Sequence, residues 1–136
     1  MTAPSPILSF SIYACAFIVG AVLMGFEMLG SRYLNPYFGG GIGTWAGLIS
    51  TVLGALTLLG TFSPIAVSLL THAADQAGRV AGMVYGVSTI GNVVGTLLTT
   101  FALIPTIGSR AITYYFALVL ALCAGVLFLN PVKRAP

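Results

Sequence analysis

The stretch from Ile7 to Leu29, ILSFSIYACAFIVGAVLMGFEML, decides the fold. Its only charged side chain is Glu27, and it contains no proline. As a helix it is about 35 Å long at a rise of 1.5 Å per residue, and a bilayer's hydrocarbon core is about 30 Å thick. It can therefore cross. An open sheet would leave unpaired backbone groups in hydrocarbon, and a barrel strand would alternate in polarity over about ten residues. Neither pattern is present.

Three more apolar runs follow. Trp45 to Leu70 is longer than one crossing needs and holds Ser63-Pro64, where a kink or break is expected. Val80 to Ile104 ends at Pro105, and Ile112 to Leu129 ends at Asn130-Pro131. The expected fold is an all-α polytopic membrane protein. Its single transmembrane domain, residues 1–136, is a small bundle of four helices over 7–29, 45–70 (kinked at Pro64), 80–104 and 112–129. The first helix is expected to stop by Leu34, because Asn35-Pro36 follows. Arg32 to Thr44, with Gly39, Gly40, Gly41 and Gly43, reads as a flexible or re-entrant loop at the membrane edge. Tyr33, Tyr37, Phe38 and Trp45 suit the headgroup belt. Thr71 to Arg79 gathers His72, Asp75 and Gln76 and reads as an aqueous loop.

Composition gives the same answer from another side. The 136 residues are 58% hydrophobic and 5% charged, where soluble domains carry about a quarter charged. The mean hydropathy is +1.06. A water-facing surface cannot be assembled from that inventory, so the expected surroundings are a lipid bilayer. The net charge of +3 does not point to nucleic acid, since the basic residues are scattered singly except for Lys133-Arg134. Met1 to Pro6 lacks a basic n-region and a cleavage site, so no removed signal peptide is expected. Four crossings put both termini on one side with Arg79, Lys133 and Arg134, against Arg32 and Arg110 on the other. By the positive-inside rule the termini are expected to be cytoplasmic, in a bacterial inner membrane. Cys15 and Cys123 fall inside apolar runs and read as packing residues at similar depth, not as a disulfide or metal site.

Few residues offer chemistry. Glu27 is an intramembrane carboxylate, which marks a functional candidate. Arg32 is five residues on, about 140° around the helix axis, so Arg110 is the better expected partner for a charge pair. A proton or cation site, or a neutral carboxyl at the lipid boundary, are the other readings. Gly82 and Gly86, preceded by Gly78, recur every four residues. Gly91, Gly95 and Thr99 repeat the period after a one-residue shift, a small-residue stripe for close helix packing. Ser88, Asn92 and Thr96 form a polar ridge expected to face the bundle interior, another subunit or a water-filled path. The repeat of Gly30-Ser31-Arg32 as Gly108-Ser109-Arg110 reads as a coincidence of loop chemistry, with a weak internal echo as the alternative. His72 stands alone as a loop histidine. No catalytic residue, metal or cofactor is expected.

The run Glu27-Met28-Leu29-Gly30-Ser31-Arg32-Tyr33-Leu34-Asn35-Pro36-Tyr37-Phe38-Gly39, followed by Trp45, resembles the membrane domain of spermidine synthase-like integral membrane proteins. A second stretch supports the likeness: Gly78-Arg79, Tyr85, Ser88 to Asn92, Gly95-Thr96, and Leu103-Ile104-Pro105 with Gly108 and Arg110. The resemblance implies a helical bundle fused to, or encoded without, a soluble aminopropyltransferase-type domain. It also implies a link to polyamines or to a separately encoded soluble enzyme. The chain departs from the pattern in two ways. Leu58 to Pro64 replaces a glycine-rich ending that bears arginine and aspartate, and fewer helices separate the two stretches, so the chain looks abbreviated. It has no Gly-rich strand-turn-helix for a nucleoside cofactor and no paired aspartates, so aminopropyl transfer is not expected of it.

The expected function is a non-catalytic accessory or structural subunit of a larger membrane complex, or the membrane anchor of a synthase-like partner. The alternative is a homo-oligomeric transporter or channel component for polyamines or other cations. There Glu27 would be the charged site, and Ser88, Asn92 and Thr96 would line the route.

Overall fold

The computed structural model describes residues 6–71 and 73–129, without the side chains of residues 51–53, 55, 56 and 74. His72, the Lys133-Arg134 pair and the first five residues, all weighed above, lie outside the described residues. What is described is helical, with no strand among the described residues. The helices are α1 (Pro6–Phe38), α2 (Ile42–Gly60), α3 (Phe62–Leu70), α4 (Ala77–Leu97), α5 (Ile104–Thr106) and α6 (Ser109–Leu129). A 3-10 turn, Ala74–Gln76, precedes α4, and a π-helical segment, Leu98–Leu103, joins α4 to α5.

Among the described residues, three helical stretches are long and apolar enough to cross a membrane: Pro6–Phe38, Ala77–Thr106 and Ser109–Leu129. The stretch expected as one kinked second span is divided between α2 and α3 and is not among them. The division falls at Thr61, three residues before the expected Pro64. A proline ring collides with the carbonyl four residues earlier, here that of Gly60, so the chain yields one turn upstream. Pro64 then sits in the first turn of α3, where its missing N–H costs nothing.

The first helix corrects an expectation. It does not stop before Asn35-Pro36 but runs through both to Phe38, with Pro36 inside it. In hydrocarbon an unsatisfied backbone group costs several kcal/mol, so a helix close to its end tolerates one proline more readily than an early exit. Gly39 ends it at φ +71, the left-handed conformation that glycine reaches without a Cβ clash. Its N–H donates to the Asn35 carbonyl at 2.8 Å. The Gly/Pro-rich loop therefore shrinks to the three residues Gly39 to Gly41 before α2 begins.

Pro105 acts similarly on the α4 stretch. It deprives the Phe101 carbonyl of its usual donor, and the residues just upstream widen into the π-helical segment, so helix continues past the proline to Thr106.

The largest interface is between α1 and α4, followed by α1 with α6 and α1 with α2. Leu8, Ile12 and Ala16 of α1, Ala66 and Leu70 of α3, and Val84 of α4 form the main buried cluster. Outside it, large apolar side chains face outward: Phe10, Phe101, Tyr114, Leu122 and Phe128 are all more than half exposed. In water such a surface would aggregate; in lipid it is the expected exterior.

Candidate functional site

Two features hold most of the residues singled out in the sequence: the seam between α1 and α4, and the far end of α1; Gly82, Gly86 and Arg110 lie outside both.

The seam is built on missing side chains. A Cβ on Gly91 would land on the carbonyl oxygen of Phe17, and one on Gly95 would land on that of Ala21. From the other side, a Cβ on Gly25 would stand 2.6 Å from Thr99 Oγ1 and 2.8 Å from the Phe116 ring. Gly91, Gly95 and Thr99 are all buried. The ordered pairs 17 with 91, 21 with 95 and 25 with 99 make α1 and α4 parallel neighbours. Tyr13, whose hydroxyl lies 4.0 Å from Met83 Sδ, extends the same order toward the start of both helices. Gly82 and Gly86, on the same helix, are exposed, and a Cβ on either would meet nothing within 4 Å.

Gly20 makes room for the polar ridge. A Cβ there would crowd the Ser88 carbonyl and come within 2.8 Å of Asn92 Oδ1 and 2.9 Å of Ser88 Oγ. Ser88, Asn92 and Thr96 are all half-buried. Thr96 spends its hydroxyl locally, donating to the Asn92 carbonyl at 2.9 Å. Asn92 Oδ1 is buried and accepts no hydrogen bond. An unmet acceptor in a low-dielectric setting costs about 1–3 kcal/mol, so it marks a point of stored polarity on the seam.

Gly20 and Gly25 were not singled out in the sequence, although a signal was present. Ala16-Gly20 and Ala21-Gly25 are each small residues four apart, the same pattern as Gly91-Gly95 on the partner helix.

Helix α6 packs antiparallel on α1. Cys15 Sγ lies 3.9 Å from the Cys123 carbonyl oxygen, and both cysteines are buried and free, so they stand at one level. Twelve residues on from Cys15, Glu27 lies close to the level of Ala111, twelve back from Cys123. That brings it near the depth of Arg110. Glu27 is half-buried, whereas Arg32 and Arg110 are exposed. Among the described residues Glu27 forms no ion pair and no side-chain hydrogen bond with either arginine.

The end of α1 and the start of α2 enclose an open cavity of about 470 Å³, lined by Ser31, Arg32, Asn35, Pro36, Gly40, Thr44 and Trp45. Ser31 donates to the Met28 carbonyl at 2.8 Å, and Thr44 donates to the Gly39 carbonyl, pinning the short turn across the top of α1. Among the described residues no group of three His, Cys, Asp or Glu side chains is placed to hold a metal.

Comparison with protein-family models, with curated proteins and with solved structures finds no match to this chain.

Proposed function

We propose that this chain is a non-catalytic subunit of a larger membrane assembly, either an accessory component or the membrane anchor of a soluble synthase-like enzyme. The single observation that carries the reading is Glu27. A half-buried carboxylate in a membrane helix needs a cation, a proton or a polar partner, and among the described residues no arginine supplies one. A neighbouring subunit, or a second copy, would complete the charge. Sparse internal burial supports this: the most apolar windows of Ala77–Thr106 and Ser109–Leu129 are 17% and 11% buried, against 39% for α1. The resemblance of Glu27 to Gly39 to a family whose membrane domain accompanies an aminopropyltransferase-type enzyme points to the same kind of partner.

The finer topology belongs to this proposal. α2 and α3 together act as a fourth, broken crossing, completing the bundle. Support comes from the parallel pairing of α1 and α4, which obliges the chain between them to travel back. Gly30 packs near Leu48 at one end, and Leu8 packs with Leu70 at the other. The short Gly39 to Gly41 turn lies at the membrane edge. The termini face the cytoplasm of a bacterial inner membrane, following the distribution of basic residues.

A second reading, cation transport by a homo-oligomer, is favoured by one observation: the unpartnered Asn92 Oδ1 beside Ser88 and Gly20, a polar point within the span. One variant separates the two. Under the assembly reading, Glu27→Gln leaves a folded helical protein that no longer co-purifies with its partners, and reconstituted vesicles show no cation flux before or after the change. Under the transport reading, wild-type vesicles carry a pH-dependent flux that Glu27→Gln abolishes. A Glu27→Gln protein with unchanged partners and no change in flux contradicts both.

A further inference from the structure

We propose that the cavity at the α1–α2 turn is a headgroup site for an anionic phospholipid, with Arg32 as the residue that binds the phosphate. The inference is independent of the assembly role. Three observations carry it. The cavity is lined by one full cation, Arg32, and by the side chains of Asn35, Ser31 and Thr44, with no acidic residue in its wall. Among the described residues Arg32 forms no ion pair, so its charge is uncommitted. Finally, the cavity sits where α1 ends, in a stretch of chain that also carries the exposed aromatics Tyr33, Tyr37 and Phe38, with Trp45 in the wall itself, as aromatic side chains are at the headgroup level.

The chemistry follows from these parts. A guanidinium offers a planar fork of donors that matches two phosphate oxygens. α2 begins at the cavity with Gly41 in the capping position and no side-chain cap, so its first-turn N–H groups add to the positive potential. Because the wall has a cation but no acid, a zwitterionic headgroup would enter with its ammonium unmatched. A headgroup of net negative charge leaves nothing unpaired. The acyl chains would run down beside the apolar exterior of the bundle.

Trp45 is the only tryptophan in the chain and part of the wall, so the site carries its own probe. The full chain in mild detergent is titrated with dihexanoylphosphatidylglycerol, dihexanoylphosphatidylcholine or inorganic phosphate while Trp45 emission is recorded. The phosphatidylglycerol should give a saturable change, with phosphatidylcholine and inorganic phosphate each about tenfold weaker or worse. Arg32→Gln should weaken phosphatidylglycerol binding about tenfold, while Arg110→Gln, which lies off the cavity, changes it by less than about twofold. Asn35→Leu, an exposed change in the wall, should weaken it about threefold. Circular dichroism confirms that each variant keeps its helix. Equal response to the two lipids, a response to inorganic phosphate as strong as to phosphatidylglycerol, or equal losses in Arg32→Gln and Arg110→Gln would each overturn the assignment.

Discussion

Helix α4 carries the same small-residue period at both ends and uses it differently. Gly91 and Gly95 press against the backbone of α1, so close that a methyl group has no place to go, while Gly82 and Gly86 face open space. The difference arises from what stands between α4 and α1. Near the start of α4, α3 brings Ala66 and Leu70 into the cluster with Leu8, Ile12 and Val84. Val84 takes the inward position there, and the glycines two residues to either side turn outward. Further along α3 is gone, and only the facing small pairs of α1 allow contact. A four-residue stripe thus identifies a surface that permits close approach; the neighbour's own surface decides whether the approach happens.

The largest expected effect lies at the seam. Gly91→Val or Gly95→Val puts branched carbons onto backbone carbonyls that cannot move aside as a side chain can. Overpacking costs about 1–3 kcal/mol and occasionally more, and here a loss of about 3 kcal/mol is expected, read as a lowered midpoint in detergent unfolding or as failure to accumulate folded protein. A variant of near-normal stability would mean that α1 and α4 are not in contact at this register.

Gly25→Ala should cost less, about 1–2 kcal/mol, because its obstacles are the Thr99 hydroxyl and the Phe116 ring, which can rotate. Pairing it with Thr99→Ser, which keeps the hydroxyl but removes a methyl, should recover little; pairing it with Phe116→Leu should recover more. Asn92→Leu tests the polar point on the same seam. It removes an acceptor that has no donor, at similar volume, and is expected to raise stability by about 1 kcal/mol. Destabilisation of that size would show instead that Asn92 binds something the isolated chain does not contain.

The smallest effect belongs to the open half of the stripe. Gly82→Ala and Gly86→Ala should leave the fold unchanged or stabilise it by up to about 1 kcal/mol, the helix-propensity gain of alanine over glycine. Loss of oligomer on sizing in the same detergent would show that this face packs against another subunit, and the contrast between the two halves would then be one between internal and external partners.

Much of this was legible in the sequence and some was not, for physical reasons. Uninterrupted apolar runs report solvent directly, so the helical membrane character and the positions of α1, α4 and α6 follow from Ile7 to Leu29, Val80 to Ile104 and Ile112 to Leu129. The level pairing of Cys15 with Cys123 follows from counting residues in two antiparallel helices. Boundaries at prolines read less well. Pro36 and Pro105 both look like stops, yet helix passes each, because lipid penalises an open backbone more than water does. Pro64 does break its run, but one turn early, where its ring meets the Gly60 carbonyl. Which glycines touch which backbone is a property of two helices together, so Gly20 and Gly25 stayed hidden although their spacing was visible. Glu27 and Arg110 are expected from the sequence to form a charge pair; the counting that suggests it concerns depth, and depth alone does not fix a side-chain contact.

The central claim of the proposed topology is directional: α1 and α4 run the same way, and we propose that the chain between them returns through the membrane. In a protein with Cys15 and Cys123 replaced by alanine, single cysteines at Gly40→Cys, Asp75→Cys and Gly108→Cys can be labelled by a membrane-impermeant maleimide in oriented vesicles. The account predicts that Gly40→Cys and Gly108→Cys react from one face and Asp75→Cys only from the other. Labelling of Asp75→Cys from the same face as Gly40→Cys would contradict it, because α2 and α3 would then turn back without crossing.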